Sequence, residues 1–274
     1  MYGFGGTAIY TTTDFVAYKS IAYTGTNINF IRYLNGIYIA VGSSGYIATS
    51  PDLVTWTTRT SGTANGLNDV AWTGTNYVVV GDTNTVRYST DLATWSGATG
   101  FAGTGSAVSA GNSGRVVITK NAATTAYYST DHGQTWTAAA TPPSGSEIAT
   151  GLVFASGTFA AVNTASANVW TSTDGNTWTQ RTTGNASGLI AIAYSGSTWF
   201  AVDGGNNLDV GRSSTDLTTW TQRTSGALST AGGAGGAGGA NWGGGGGGGG
   251  ASLNGNNSGA GGAGADGRVR VYTW

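Results

Sequence analysis

Short apolar runs alternate with polar turns along most of the chain. Between Asp52 and Asp91 the runs read DVAW, YVVVG and VRYS, and TWSG follows the second aspartate. The gaps between them, TGTN, DTNT and TDLA, consist mostly of residues that favour turns. No stretch shows the 3.6-residue periodicity of an amphipathic helix. The pattern therefore predicts an all-β protein built from short antiparallel strands.

This strand pattern recurs with a marker sequence in each copy. The clearest marker is STDHGQTW (Ser129–Trp136); STDGNTW, STDLTTW, STDLATW and SPDLVTW are related copies, and TTTDFVAY is a degenerate one. Neighbouring marker aspartates are 38 to 43 residues apart. Four strands per repeat predict one antiparallel sheet per repeat, and such sheets stack radially as the blades of a β-propeller. A β-helix would repeat at a shorter period.

The marker resembles the Asp-box (BNR-type) repeat, S-x-D-x-G-x-T-W, which STDHGQTW matches in full. The resemblance implies a hairpin between the third and fourth strands of a blade, on the face away from the binding side. The aspartate accepts hydrogen bonds from the turn backbone, as in an Asx-turn, and the tryptophan fills the wedge between blades. Three copies carry Leu where another has Gly175, so those turns are expected to differ in detail. The predicted structural residues are Asp14, Asp52, Asp91, Asp131, Asp174, Asp216, Trp56, Trp95, Trp136, Trp178 and Trp220.

The repeats also predict how many blades the ring has. Five complete blades span residues 28–226, and residues 5–20 supply only a third and a fourth strand. The only strand-like segment after residue 228 is RVRVYTW, residues 268–274. Because a ring cannot leave an open edge, this segment is expected to complete a composite sixth blade. A five-bladed ring with an external N-terminal hairpin is the alternative. The predicted propeller covers residues 1–228.

The amino-acid composition excludes several classes of function. Charged residues make up 8% of the chain and the net charge is −1, so no basic patch for nucleic acid or for an anionic membrane is expected. There is no Cys and one His, so a disulfide or a multi-His metal site is excluded, and no cofactor is predicted. Nothing is long and apolar enough to insert into a membrane. The N-terminus does not read as a signal peptide, although the Thr/Asn/Gly-rich surface is typical of an extracellular protein.

Residues 229–274 form a second, glycine-rich segment. Alanines at positions 231, 234, 237 and 240 have a period of three, and eight glycines follow at Gly243–Gly250. Three residues per turn is the geometry of polyglycine II and polyproline II helices, so the segment is predicted to pack as polyglycine II helices. A flexible linker is the alternative.

The C-terminal sequence GAGGAGADGRVRVYTW resembles the carboxyl ends of bacteriophage tail-fibre and distal adhesin proteins. The resemblance covers about the last 45 residues and is compositional. Together with the propeller, it implies a non-enzymatic receptor-binding protein at the tip of a phage tail, exposed to the medium on the virion. The implied partners are a host cell-surface receptor, expected to be a glycan, and other tail proteins.

Two alternatives remain open. Asp-box propellers include sialidases, but the chain has one Glu, Glu147, and the recurrent Arg59, Arg181 and Arg223 fall on different blades. Other glycosidases need a pair of carboxylates. The candidates, which are expected mainly to form turns, are Asp69, Asp82, Asp203, Asp209, Asp266 and Glu147. A purely structural virion or cell-surface component is the second alternative.

Ligand contacts are expected on the face opposite the Asp-box turns. The loops between second and third strands and between blades lie there, and they are rich in Asn, Thr and Asp, which hydrogen-bond sugar hydroxyls. Aromatic rings can stack on a sugar face. The candidate binding residues are Asn65, Asp82, Asn84, Asn121, Tyr127, Asn168, Trp170, Asn206, Asn207 and Asp209.

Overall fold

Antiparallel sheets follow one another along the chain in the computed structural model, as the repeats predict. The residues described are 2–5, 8–11, 17, 19–22, 28–120, 125–143, 149–164, 166–184, 188–203 and 210–224. The candidates Asn121, Asn206, Asn207 and Asp209, the marker aspartate Asp14 and the whole glycine-rich segment lie outside these ranges.

The first sheet has three strands, and five four-stranded blades follow it. The first sheet consists of β1 (Tyr2–Gly5), β2 (Ala8–Thr11) and β3 (Lys19–Ala22). Blade 1 consists of β4 (Ile28–Leu34), β5 (Ile37–Gly42), β6 (Tyr46–Ser50) and β7 (Thr57–Thr60), with a short 3-10 helix at Ser43–Gly45. Blade 2 consists of β8 (Leu67–Trp72), β9 (Tyr77–Gly81), β10 (Val86–Ser89) and β11 (Ser96–Gly97). Blade 3 consists of β12 (Gly105–Ala110), β13 (Val116–Lys120), β14 (Ala126–Ser129) and β15 (Thr137–Ala138). Blade 4 consists of β16 (Ala149–Ala155), β17 (Thr158–Asn163), β18 (Asn168–Ser172) and β19 (Thr179–Thr182). Blade 5 consists of β20 (Leu189–Tyr194), β21 (Trp199–Asp203), β22 (Val210–Ser214) and β23 (Thr221–Thr224).

Within each blade the strands pair in chain order, and the first strands β4, β8, β12, β16 and β20 contact their neighbours from blade to blade. The first strand is therefore the innermost. Each innermost strand carries a β-bulge at the same place, its second residue. A bulge bends and twists a strand and re-aims its side chains.

The core consists of clusters between blades. Val78 and Val80 of blade 2, for example, pack with Val108, Val116 and Ile118 of blade 3, and all five are fully buried. The other junctions repeat this arrangement. Since each blade covers a face of its neighbour, the stability of the fold comes from burial at the junctions. The all-β class and the four-stranded antiparallel blades predicted from sequence are confirmed.

The first sheet departs from the sequence prediction in one respect. Residues 5–20 were expected to supply two strands, but β1 at Tyr2–Gly5 adds a third. Ile9 of β2 is fully buried against Ile31, Ala40 and Leu53 of blade 1, so the sheet lies against that blade. The prediction missed β1 because its sequence, YGFG, is half glycine, and glycine disfavours strands.

The hairpins between third and fourth strands carry the marker sequence and are called S-x-D turns below. In blade 3, Asp131 Oδ1 accepts hydrogen bonds from the Ser129 hydroxyl (2.7 Å) and from the backbone N–H groups of Gln134 (3.0 Å) and Thr135 (2.9 Å). Its Oδ2 accepts from the Thr135 hydroxyl at 2.6 Å. Equivalent bonds form at Asp52, Asp91, Asp174 and Asp216. The carboxylate thus closes the turn, and its oxygens accept their hydrogen bonds from groups of that same turn.

The expectation that the leucine-bearing turns differ in detail is wrong. Leu53, Leu92 and Leu217 adopt φ of 65°, 63° and 62°, the same left-handed region as Gly175 at 72°. Left-handed backbone is unfavourable for a side chain with a Cβ. The leucine side chains are buried at 5–6% exposure between blades, so apolar burial offsets the backbone cost. A Cβ at Gly175 would instead lie 2.5 Å from Val117 Cγ2 of the preceding blade.

The tryptophan that ends each S-x-D turn points back over the junction. Its indole N–H donates to a backbone carbonyl three residues earlier, for example Trp136 Nε1 to Gly133 O at 2.9 Å. Trp95, Trp136 and Trp178 are buried, and Trp56 and Trp220 are partly buried. The backbone N–H of Trp136 also donates to Thr99 O of the blade 2 to blade 3 connection, at 2.9 Å. The turn therefore joins two blades as well as two strands.

Acid should destabilise the protein through the S-x-D turns. Backbone N–H groups of Thr55 and Val54 lower the pKa of Asp52, and those of Thr94 and Ala93 lower the pKa of Asp91. Burial raises the pKa of Asp131, but hydrogen bonds, led by that from Ser129, outweigh it and the net pKa is lowered. A carboxyl whose folded pKa is depressed stabilises the fold above its unfolded pKa of about 3.9 and loses that contribution as the pH falls.

The melting temperature should therefore be nearly constant from about pH 7 to 5 and should fall progressively below about pH 4. Circular dichroism melts across this range would measure it. Asp131→Asn, which cannot titrate, should melt lower than the wild type at pH 7 and lose less on acidification. An equal acid loss in wild type and variant would show that Asp131 does not contribute to this linkage.

Candidate functional site

The candidate site lies on the loop face, defined as the end of the blades that carries the connections between second and third strands and between blades. The S-x-D turns lie on the opposite end because successive antiparallel turns alternate between ends. Of the predicted binding residues that are described, Asn65, Asp82, Asn84, Tyr127 and Asn168 lie at or near this face.

Three of these residues lie at the loop between β9 and β10: Asp82 and Asn84 belong to the loop, and Asn65 contacts it. Asn65 Nδ2 donates to Thr85 Oγ1 at 2.8 Å, which ties the preceding blade connection to this loop. Asn84 Oδ1 accepts from the backbone N–H of Gly103 at 2.6 Å, which ties the loop to the following connection. Thr83 and Asn84 are both exposed and left-handed, with φ of 49° and 58°. These bonds hold the loop rigidly and leave Thr83 presented to solvent.

The aromatic side of the site lies across the junction, on blade 3. Tyr127 is partly exposed, and its ring meets Phe101 edge-on with 5.0 Å between centroids. Lys120 Nζ lies 5.5 Å from the centre of the Tyr127 ring. A Cβ at Gly103 would lie 2.4 Å from Lys120 Cε, so this lysine also contacts the connection that Asn84 bonds. Asn84, Gly103, Lys120 and Tyr127 therefore form one continuous surface, called the junction site below.

A second polar group lies at the bulges of the innermost strands. Asn29 Nδ2 donates to Leu67 O at 2.9 Å, and Asn68 Nδ2 donates to Gly105 O and to Asp82 Oδ1, both at 3.0 Å. The bulge residue of one blade thus bonds to the start of the next blade's innermost strand. Asp82, one of the predicted binding residues, belongs to this network and is partly exposed.

Below these bulges lies an ion pair that the sequence analysis missed. Arg32 of β4 makes two hydrogen bonds to Asp69 of β8, Nε to Oδ1 at 2.8 Å and Nη2 to Oδ2 at 2.9 Å. Asp69 also accepts from the backbone N–H of Val70 at 2.8 Å and of Val108 at 3.0 Å. Asp69 was expected to form a turn, and this expectation is wrong. It is a buried residue that joins the innermost strands of three blades.

The prediction that Trp170 binds a ligand is wrong. Trp170 is 7% exposed and belongs to the cluster between blades 3 and 4, together with Val117 of blade 3 and Phe159 of blade 4, so its side chain is covered on the inside of the fold. Asn168, two residues earlier at the start of β18, is partly exposed at the loop face and stays a candidate. Strand alternation could not distinguish these roles, because residues two apart in a strand point to the same face.

The arrangement of charged groups bears on the enzyme alternative. Arg59 of blade 1 donates to Thr49 Oγ1, and Arg223 of blade 5 donates to Ser213 Oγ, so both bond within their own blades. Arg181 lies on β19, the fourth strand of blade 4. Asp69 is paired and Asp82 is hydrogen-bonded to Asn68. In the part of the chain that the structure describes, no three His, Cys, Asp or Glu side chains gather as a metal site requires. No helix within the same ranges is long and apolar enough to cross a membrane.

Comparisons with known proteins bear on the fold. No family model matches the chain. No curated protein matches it in sequence. Solved structures do match: virginiamycin B lyase from Staphylococcus aureus has a TM-score of 0.67 at 13% identity, over 81% of this chain and 78% of that one. YCF48, solved with a D1 peptide, gives 0.57 at 18% identity, over 72% and 67%.

The GH74 enzyme of Niastella koreensis gives a TM-score of 0.54 at 18% identity, over 75% of this chain but 31% of that enzyme. The WD40 β-propeller domain of Doa1 gives 0.52 at 12% identity, over 69% of this chain and 65% of that one. At such identities the similarity shows the fold alone. The fold class is therefore a β-propeller, and the matched proteins have varied functions.

Proposed function

We propose that the protein is a non-enzymatic receptor-binding protein of a bacteriophage tail, an adhesin that recognises a glycan on the host cell surface. The observation that carries the proposal is the junction site, where the Asn84 amide and the Lys120 ammonium lie beside the partly exposed Tyr127. Amide and hydroxyl groups match sugar hydroxyls, and a flat ring matches the apolar face of a pyranose. The rigid loop around Thr83 and Asn84 limits the entropy lost on binding.

Two features of the sequence support the phage assignment. The marker sequence resembles the Asp box, and the S-x-D turns have the closed carboxylate geometry that an Asp box would need. The glycine-rich segment at 229–274 resembles the ends of tail-fibre adhesins and is the proposed mount or recognition element. We place the protein on the virion with other tail proteins as its neighbours. The near-neutral surface suits contact with uncharged glycans.

Tyr127→Ala should reduce binding to host cells or to an immobilised glycan by about tenfold or more, since truncating an aromatic anchor at the centre of an interface typically costs about 2 kcal/mol or more. Tyr127→Phe should retain most of the affinity because the ring remains. The matched control is Tyr88→Ala: Tyr88 packs on the same hydrophobic cluster but lies beside the S-x-D turn of blade 2. It should lower stability comparably and leave binding unchanged.

Whole-cell binding and a glycan array would measure these affinities, with a melting curve for each variant. Equal losses from Tyr127→Ala and Tyr88→Ala would show that the effect is one of stability and would remove the junction site from the proposal. A fluorogenic glycosidase screen on the wild type tests the enzyme alternative. Turnover of any substrate would contradict the non-enzymatic assignment.

A further inference from the structure

A groove opens between blades 4 and 5 at the end that carries the S-x-D turns. Its volume is about 320 Å³, and most of its lining residues are Thr or Ser; the charged ones are Asp174, Arg181 and Asp216, and Leu217 is apolar. Small-molecule sites range from about 300 to 1,000 Å³, so the groove is large enough for a small ligand. Its polar lining differs from the apolar cluster that fills the same junction.

Blades 2 and 3 fill the equivalent place with one long side chain. The residue just before the strand partner of the marker serine, called the crossing position below, reaches the S-x-D turn of the next blade. In blade 2, Asn76 Nδ2 donates to His132 O at 3.1 Å, and in blade 3, Arg115 donates to Asp174 O. Each of these turns is therefore bonded by a side chain to the preceding blade.

Blade 4 has a short side chain at the crossing position. Its residue is Thr158, which precedes Phe159, the strand partner of Ser172. Thr158 lines the groove, and among the described residues its hydroxyl forms no hydrogen bond to the S-x-D turn of blade 5. Blade 1 carries Ile37 there, which packs on the apolar cluster of its own junction. The groove is thus the space that a longer side chain fills at other junctions.

Arg181 brings an unsatisfied donor to this groove. Arg59 and Arg223, the arginines at the same position in blades 1 and 5, each donate from Nε to a hydroxyl of the third strand, at 3.0 and 2.8 Å. In blade 4 the corresponding hydroxyl, Thr171 Oγ1, donates to Thr179 O at 3.3 Å instead. Arg181 Nε is buried and has no hydrogen-bond partner in the part of the chain that the structure describes. A ligand oxygen that accepted from it would remove the cost of an unpaired buried donor.

Asp174 brings an unused acceptor. Its Oδ1 accepts from the Ser172 hydroxyl and from two backbone N–H groups, at 2.8–2.9 Å. Its Oδ2 accepts no hydrogen bond from the residues described, whereas Asp131 Oδ2 in blade 3 accepts from the Thr135 hydroxyl. The lining of the groove therefore holds one donor and one acceptor that the fold does not use.

The charges around the groove balance. Asp174 and Asp216 are offset by Arg181 and by Arg115, which bonds to Asp174 O. An anionic ligand would meet two carboxylates, and a cationic ligand would meet two guanidinium groups, so an uncharged ligand fits best. That ligand must both accept and donate hydrogen bonds, as a hydroxyl does.

We propose that this groove is a second binding site, separate from the junction site, and that it takes an uncharged polyhydroxylated ligand, a sugar unit. One sugar hydroxyl accepts from Arg181 Nε–H, and a neighbouring hydroxyl donates to Asp174 Oδ2. The threonine and serine hydroxyls of the lining bond to the remaining hydroxyls of the sugar. The site lies at the end of the blades opposite the junction site, so it does not depend on the proposed receptor contact there.

Nuclear magnetic resonance titration of the full chain with glucose, galactose, mannose and lactose tests the site directly. We expect at least one sugar to shift the Arg181 Nε–H signal and the amide signals of Thr171 and Thr179, with an affinity on the order of millimolar. Tyr127→Ala should leave these shifts unchanged. No shift with any of the four sugars would overturn the proposal. Tighter binding of glucuronate than of glucose, or shifts with trialanine alone, would also overturn it, since the groove would then be an anion or a peptide site.

Thr158→Arg gives blade 4 the residue that blade 3 carries at the crossing position. It should fill the groove, keep or raise the melting temperature, and weaken sugar binding by about tenfold or more, because the new side chain occupies the same space. The matched control is Thr198→Arg at the crossing position of blade 5, which adds the same charge away from the groove and should leave sugar binding unchanged. Equal sugar affinities in the wild type and Thr158→Arg would contradict the assignment.

A second pair of variants tests the unsatisfied donor. Arg181→Lys keeps the positive charge but removes Nε, so it should weaken sugar binding and change the melting temperature little. Arg223→Lys loses a bond that the fold does use, to Ser213 Oγ. It should lower the melting temperature and leave sugar binding unchanged. The reverse pattern would show that Arg181 serves the fold and not a ligand.

Discussion

Trp136→Ala should lower the free energy of unfolding by about 3–5 kcal/mol, the range for deleting a large buried aromatic side chain. Trp136 is 5% exposed and packs with Val78 and Val80 of blade 2 and Val108 of blade 3. Removing the indole opens a cavity at a junction between two blades. It also deletes the donor to Gly133 O, which leaves that carbonyl without its partner. The cavity lies at the contact that holds neighbouring blades together, and the lost hydrogen bond lies within the S-x-D turn of blade 3.

Urea unfolding followed by far-ultraviolet circular dichroism would measure the change in Trp136→Ala. Trp136→Phe is the control: it keeps most of the apolar surface, so it should lose clearly less than the alanine variant. The S-x-D turn lies at the end opposite the loop face, so the folded fraction of Trp136→Ala should still bind host cells. Loss of binding at unchanged stability would assign this turn to recognition instead of architecture.

The sequence predicted those parts of the fold that depend on local chemistry. Turn residues at regular spacing located the five blades, and the S-x-D motif located the hairpin of each, because a carboxylate two to four residues from backbone N–H groups can close a turn without help from the rest of the fold. The leucine turns were misjudged for a non-local reason. Leu92 tolerates a positive φ because the neighbouring blade buries its side chain, which no local pattern indicates.

The candidate site was less predictable from sequence. Asn65, Asp82 and Asn84 were expected on one face and do meet there, since loop connections follow from strand order. Trp170 and Asp69 were misassigned because each depends on a neighbouring blade. Trp170 packs on residues of blade 3, and Asp69 pairs with Arg32, 37 residues earlier. The β-bulge beside Asp69 also breaks the alternation that would have placed its side chain.

Among the residues of the innermost strands, we expect Asp69 to contribute most to the free energy of unfolding, because of the hydrogen bonds that its carboxylate accepts. Its carboxylate is 2% exposed and satisfies three groups on three blades: the Arg32 guanidinium, the N–H of Val70 and the N–H of Val108. A buried carboxylate is costly to desolvate, so such a pair adds little net stability compared with apolar packing. Its removal is different, because the remaining partners stay buried without an acceptor.

Asp69→Ala should therefore lower the free energy of unfolding by about 3–5 kcal/mol. Arg32→Met should also be destabilising, because it leaves the buried Asp69 carboxylate without its counter-ion, although the N–H groups of Val70 and Val108 still donate to that carboxylate. In the double variant Arg32→Met/Asp69→Ala, neither charge of the pair is left without its partner. It should lose less than the sum of the two single losses, and the difference is the coupling energy of the pair. Urea unfolding of the four proteins measures it. Strictly additive losses would show that the pair is not coupled, and that the cost of Asp69→Ala arises from the two backbone N–H groups and the cavity alone.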